Sequence, residues 1–514
     1  MKLRLLSSAL IVFLLTTFLA GCSVRKNTGT APVSDGLVTF KIIQLNDIYE
    51  IEPLNDGEYG GMARVAHVAD SIRKVNPNTL LFLAGDFLNP SLLGTIKLNG
   101  ERIRGKQMVE VMNALKFDLV TFGNHEFDLK ENELQKRLNE SEFEWTSANT
   151  RHVVNGTLQP FYSEKNGKRT NVSDYATFQI SEPDGDQAIL GIFSVTIDSN
   201  PQDFVHYANI YDEAERAYKN LQKEADITLG LTHVSLEQDR NIAKRLPEVP
   251  LLMGGHEHYN MLIKEGSTII TKADANAKTI FVHTFIYNIH SKDLNIDSQL
   301  VAIDRSVNSH PEVEKIVNRW SRVLEDNLKE IVDNPNEIIY NAEIPWDGTD
   351  ESSRAKQTNL GEIITKSMLF VFPEAEAAFV NGGSIRIDDR LSGAISSKDI
   401  FRILLFGGSV VKVDLKGSLL KQVLDYGMES RGTGAYLQRT NFSRDGGGQW
   451  NINHIPIDPE KIYTIAMSDF LLRGLDIPFL TSEHEDVIKV YHPKENENAA
   501  DIRKTIIAYL KSLH

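Results

Sequence analysis

Aspartate, asparagine and histidine recur in five short segments of this chain, each placed just after an apolar, β-prone run. The segments are Leu45-Asn46-Asp47-Ile48-Tyr49, Gly85-Asp86, Gly123-Asn124-His125-Glu126, Thr232-His233 and Gly254-Gly255-His256-Glu257-His258. The runs before them are Val38–Leu45, Thr79–Ala84, Leu119–Phe122, Ile227–Leu231 and Val249–Met253. Oxygen and imidazole donors on neighbouring strand tips converge in a crevice at one edge of a sheet, a donor set that suits a hard or borderline divalent cation. Taken singly, Asp47 or Asp86 reads equally well as a helix cap or a turn residue. The run from Gly123 to Asp128 says more. Asn124 offers a carbonyl oxygen, and Asp128 stands three residues beyond His125, where it can accept from the second ring nitrogen and fix the tautomer. In Gly254-Gly255-His256-Glu257-His258 the glycines permit close approach, and both imidazoles fall on one side of an extended segment or tight turn.

Positioning such tips requires strands that alternate with helices. From residue 38 to 305 strand-like runs do alternate with helical ones: Met62–Arg73 and Lys106–Leu115 carry apolar residues at helical spacing. This predicts an α/β fold with a layered first domain. Ser309–Asp333 then reads as a single amphipathic helix, with Val313, Ile316, Val317, Trp320, Val323, Leu324, Leu328 and Ile331 on one stripe and prolines at 311 and 335 as boundaries. It is expected to be the linker (306–334) to a second α/β domain (335–514). At 514 residues the chain is too long for one ordinary core, so two are expected. The net charge of −15 argues against binding a nucleic-acid polymer and means that a phosphate-bearing substrate needs local arginines or metals.

The N-terminus reads as a targeting segment. Lys2 and Arg4 precede the apolar run Leu5–Leu19, and Leu19-Ala20-Gly21-Cys22 supplies small residues before the chain's sole cysteine. The segment resembles a bacterial lipoprotein signal (1–21), which implies acylation of Cys22, a polar tether (22–37), and a membrane-anchored protein facing the periplasm or cell exterior. A single cysteine permits no intramolecular disulfide.

The order Asp, Gly-Asp, Gly-Asn-His-Glu, His and Gly-His-x-His resembles the calcineurin-like metallophosphoesterase family, and Gly60-Gly61-Met62-Ala63-Arg64-Val65 resembles a segment of its 5′-nucleotidase branch. The resemblance implies a β-sandwich flanked by helices and a pair of divalent ions (Zn, Mn, Co or Mg). Asp86 would bridge them, Asp47 and His258 would serve the first, and Asn124, His233 and His256 the second. His125, oriented by Asp128, would leave the metals alone and stabilise charge on the transferring phosphoryl group or protonate the leaving oxygen. Tyr49 departs from the pattern, since the family places histidine there. It either ligates the first metal, turns away and leaves a weaker site, or awaits a metal that arrives with substrate; the second or third outcome is expected.

The second half carries parts suited to recognising a leaving group. They are Asn381 and Arg386 around the Gly382-Gly383 turn, Phe406 before Gly407-Gly408, Gly432-Thr433-Gly434, and Phe470 with Asp476 in Ser468–Asp476. Singly, Phe406 and Phe470 read as core residues and Arg386 as a surface ion-pair partner. Together, with Arg354 to Gly361, they resemble the 5′-nucleotidase C-terminal domain, although Gly474-Leu475-Asp476 departs from the family's Gly-Gly-Asp. That resemblance implies that Phe406 and Phe470 sandwich a base and that Arg354 and Arg386 hold phosphate oxygens. It gives Asn381 a contact to the base, Asp476 the ribose hydroxyls, and Gly434 a close backbone approach. It also implies rotation of the second domain about the linker. The expected reaction is hydrolysis of nucleoside 5′-monophosphates. Cleavage of UDP-sugars or 2′,3′-cyclic nucleotides, or nucleotide binding by a catalytically impaired lipoprotein, are the alternatives.

Overall fold

The computed structural model describes residues 33–513, so the apolar run Leu5–Leu19 and Cys22 lie outside the described residues. Each apolar run before a donor segment is a strand: Leu37–Leu45, Thr79–Leu83, Leu119–Thr121, Ile227–His233 and Leu251–Gly254. The first three are parallel neighbours in one six-stranded sheet, which Glu144–Thr146 extends on one side and the antiparallel pair Thr279–Asn288 and Leu294–Ala302 on the other. The other two are parallel neighbours in a second six-stranded sheet, between Gln187–Thr196 and Thr268–Lys272. The donors therefore come from two sheets, not from one sheet edge.

The sheets face each other across an apolar core in which Phe40, Ile42 and Phe82 meet Leu190, Leu229, Leu231 and Met253. Strands buried on both faces read as nearly continuous apolar runs, which is why they are visible in the sequence. Met62–Val75 and Lys106–Leu115 cover the outside of the first sheet, and Ile210–Leu221 and Leu236–Arg245 the outside of the second. The result is a β-sandwich between helices.

The linker helix runs Pro311–Lys329, shorter at both ends than the sequence pattern suggests, and packs on Met62–Val75 and Lys106–Leu115. Its stripe of Val313, Val317, Trp320, Leu324 and Leu328 is buried, and Trp320 Nε1 donates to Glu110 at 3.0 Å. The tether expected up to residue 37 is already pinned at Ser34 and Gly36, which donate to Asp186 at 2.7 and 2.8 Å. The second domain is built on a five-stranded sheet in the order Leu437–Thr440, Ala377–Asn381, Ile462–Ser468, Val410–Lys416, Val487–Tyr491. One cluster of buried apolar residues runs from Met62 through Trp320 and Leu324 to Trp346 and Ile400, so the domains share a continuous apolar seam.

Candidate active site

The parallel registers bring the strand tips to one end of the sandwich. Ligand atoms of Asp47, Asp86 and His233 lie within 4.8 Å of one another. His233 Nε2 stands 3.1 Å from Asp86 Oδ2 and 3.3 Å from Asn124 Oδ1. His256 packs its ring 5.5 Å from that of His233 and donates its backbone N–H to Asp47 at 2.9 Å. His258 Nε2 stands 3.4 Å from Asp47 Oδ1. All six expected metal ligands thus gather in one place.

Backbone constraints hold this cluster together. Asp47, Asp86 and His256 all adopt left-handed φ angles, of 53°, 58° and 81°, which cost non-glycine residues about 1–3 kcal/mol each. Gly123 has no room for a side chain, because a Cβ there would meet Asp86 Oδ1 at 2.0 Å. Glu126, part of the Gly123–Asp128 run but given no role from sequence, is wholly buried and accepts the N–H groups of Asp86, Phe87, Leu88 and Gly123 at 2.6–3.0 Å. One carboxylate so ties the Gly85-Asp86 turn to the Gly123 turn. Asn46 does the same across the sheets: it donates to Asp47 and to the Ala273 carbonyl and accepts the Ala273 N–H. Lys272, also unforeseen, is fully buried beneath the second sheet's loops. Its Nζ donates to the carbonyls of Val234 and Gly255 at 2.6 and 2.8 Å and pairs with Asp239 at 2.9 Å and with Glu257. Glu126 carries a local signal, a carboxylate beside a candidate ligand and its histidine; Lys272 carries none.

His125 stands beside the cluster. Its Nδ1 lies 2.7 Å from Asp128 Oδ2, and Asp128 is itself fixed by donations from Asn89 at 2.8 Å and Asn200 at 2.7 Å. Burial pulls the imidazole down, but the charges of Asp86 and Asp128 outweigh it and raise it to about 9.

Tyr49 corrects one of the two outcomes expected of it. It does not turn away: its hydroxyl lies 3.2 Å from both Asp86 Oδ2 and His258 Nε2 and 3.5 Å from Asp47 Oδ1. Burial first, then the charges of Asp86 and Asp47, push its ionisation well above the usual range, so in this environment it is a neutral phenol. The Asn276 side chain fixes its backbone by accepting the Tyr49 and Glu50 N–H groups.

A divalent cation fits this donor set. Asp47 and Asp86 are 0% and 1% exposed, and among the described residues the side chains paired with them are imidazoles rather than lysine or arginine. Buried carboxylates so close together need positive charge.

In the second domain, all seven expected substrate residues line one cavity of about 530 Å³: Arg354, Asn381, Arg386, Phe406, Gly434, Phe470 and Asp476. Phe406 is 58% exposed, so the core reading of that ring is wrong. Asn381 donates to Asp476 at 2.7 Å, and Gly383 donates to the Gly434 carbonyl, which closes the cavity floor. The Nε atoms of Arg354 and Arg386 are buried without a hydrogen-bond partner among the described residues. Arg386 also lines the cleft between the domains, together with Tyr49, His125 and His258.

Two family models match the chain: calcineurin-like phosphoesterase over residues 40–260, and 5′-nucleotidase, C-terminal domain over residues 338–481. This chain belongs to the calcineurin-like phosphoesterases that carry a 5′-nucleotidase C-terminal domain. Calcineurin-like phosphoesterases use divalent metals, and this chain is a phosphoester hydrolase with an Asp/His group that could hold one. It is similar to the 5′-nucleotidase of Homo sapiens, at 26% identity over 81% of this chain and 78% of the relative. It is also similar, at 25% identity over 79% of this chain, to the trifunctional nucleotide phosphoesterase protein YfkN of Bacillus subtilis, of which it spans 29%. The 5′-nucleotidase precursor of Thermus thermophilus shares the fold, with a TM-score of 0.68 at 21% identity over 92% of this chain and 96% of that one. As a calcineurin-like phosphoesterase, the chain departs from the family pattern at Tyr49 within the donor cluster.

Proposed function

We propose that this phosphoesterase hydrolyses nucleoside 5′-monophosphates to nucleoside and phosphate, with divalent metals held by Asp47, Asp86, Asn124, His233, His256 and His258. One observation carries the reading: Arg386, its Nε unmatched, lines both the cleft beside His125 and the cavity of Phe406 and Phe470. An anion held there has the donor cluster on one side and the aromatic recess of about 530 Å³ on the other. The names of the similar 5′-nucleotidases support the same substrate class.

When bound, metals at these ligands supply an acidified water and offset phosphoryl charge. The chain's own residues do the rest. Arg354 and Arg386 present guanidinium donors to phosphate oxygens. Phe406 and Phe470 offer faces to a base, and Asp476 an acceptor to ribose hydroxyls. His125, its Nδ1 tied to Asp128, directs Nε2 towards the cleft and holds a proton available to the leaving oxygen.

Product release is to be measured on metal-stripped protein reloaded with Mn²⁺, Zn²⁺, Co²⁺ or Mg²⁺: phosphate from AMP, UMP from UDP-glucose, and adenosine monophosphate from 2′,3′-cyclic AMP. Fastest turnover of AMP supports the reading; faster release from either other substrate sinks it. The Tyr49 hydroxyl inside the cluster favours one second reading, a nucleotide binder with impaired catalysis. Tight AMP binding without release under any metal would establish that instead.

We propose further that Cys22 is acylated after export and holds the enzyme on a membrane outside the cytoplasm. The small residues before the sole cysteine support this. Cys22→Ser should abolish incorporation of labelled palmitate; retained label refutes the anchor.

A further inference from the structure

Asp388 belongs to the second domain, two positions beyond Arg386, yet its carboxylate reaches the donor cluster of the first. Its Oδ2 lies 2.8 Å from His258 Nδ1, while its Oδ1 accepts the Asp350 N–H at 2.7 Å. The residue holds a left-handed φ of 40°, a conformation that a non-glycine residue keeps only when its surroundings enforce it. The next residue anchors the same loop, since Asp389 pairs with Lys278 of the first domain at 2.5 Å.

The consequence lies at the other ring nitrogen. A neutral imidazole carries one N–H, and Asp388 claims it at Nδ1. The Nε2 lone pair is then left facing Asp47 and the Tyr49 hydroxyl, which is the form a cation requires. His233 differs, because its orienting acceptor is the Ala84 carbonyl, 2.7 Å away within the first domain.

Building on the metal centre proposed above, we infer that Asp388 is a positioning residue: the second domain completes the first metal's ligand set by fixing His258. The metal held by His258 depends on the seated second domain; the one held by His233 does not. Domain docking and assembly of the centre are thus one event, communicated through a single carboxylate.

The test is metal affinity of the full chain, read by electron paramagnetic resonance of free Mn²⁺ during titration of metal-free protein. Asp388→Ala is expected to weaken one of the two Mn²⁺ affinities about 10–100-fold and leave the other unchanged. Asp388→Asn, which keeps an acceptor oxygen, should recover most of the loss. Lys278→Ala, which removes one anchor of the same loop but keeps the Asp388 carboxylate, should weaken that same affinity by less than Asp388→Ala does. Two parental affinities in Asp388→Ala overturn the inference, and so does an equal loss of both affinities in that variant. If the parent protein takes up no Mn²⁺, the metal centre itself falls, and the inference with it.

Discussion

Asp47 and Asp86 are almost fully buried, whereas Phe406 is 58% exposed, and the polar atoms around them differ in the same sense. In the donor cluster nearly every group has a fixed partner: Glu126 closes four N–H groups, Asp128 accepts from His125, Asn89 and Asn200, and Lys272 draws two loops together. In the aromatic cavity, two arginine Nε atoms have none. The difference follows from what each region must do. Charged groups withdrawn from water are tolerable only when paired and held in place. A recess that admits a whole ligand must leave donors for the ligand to satisfy. The first region is organised before substrate arrives and the second is finished by it, so damage to the first should appear in turnover or folding, and damage to the second in apparent affinity.

His125→Ala should break the first region's chemistry most. Loss of a positioned acid is expected to lower kcat by about 10²–10⁴ with KM for AMP little changed. Steady-state kinetics that show a raised KM and a preserved kcat would assign His125 to binding instead. Lys272→Met attacks the same region through its support. It strands Asp239 and Glu257 without their cation, and breaking such a buried pair costs about 3–5 kcal/mol. Urea unfolding of the metal-free protein measures it, and a loss under about 1 kcal/mol would show that the loops do not depend on Lys272.

The cavity should respond differently. Phe406→Ala, and likewise Phe470→Ala, is expected to remove about 1–3 kcal/mol of base stacking. That would appear as a higher KM for AMP, an unchanged kcat, and no change for a phosphoester without a ring such as glycerol phosphate. An equal loss on both substrates would mean that the rings support the fold and not the ligand.

The two regions are unequally legible in the sequence. The metal ligands announce themselves because each follows a strand buried on both faces, where an apolar run stops abruptly at a polar donor. The cavity residues emerge only in combination, since Phe406 alone resembles any core phenylalanine. The parts that escape act over long separations. Lys272 meets Asp239 and Asp388 meets His258 across distances in sequence that no periodicity records. Tyr49 defies the expectation that it turns away from the centre. The backbone, held by Asn276, aims it inward, and its hydroxyl finds acceptors in the centre. That one crevice takes donors from two facing sheets is likewise out of reach, because the strands' alternation fixes the layers and leaves open which layer owns each tip.

The smallest expected effect lies under the cluster, where Gln44 joins the two sheets. Its Nε2 donates to the carbonyls of Gly254 and Thr271 at 3.1 and 2.9 Å, and its Oε1 accepts from Thr271 Oγ1 and His283 Nε2. His283 is wholly buried, and burial alone pushes its imidazole down to about 3, so it is neutral in the folded protein at any ordinary pH. The unfolded chain, with an ordinary imidazole near 6.5, binds a proton that the folded chain refuses. Stability therefore falls as pH drops below about 6.5, by at most about 1.4 kcal/mol per unit, until the folded group itself titrates near 3. Between pH 6.5 and 5, above most carboxylate titrations, His283→Gln should flatten the decline in urea midpoint relative to the parent while keeping a donor for Gln44. The same slope in both proteins would place the acid sensitivity elsewhere and leave the floor of the donor cluster indifferent to this imidazole.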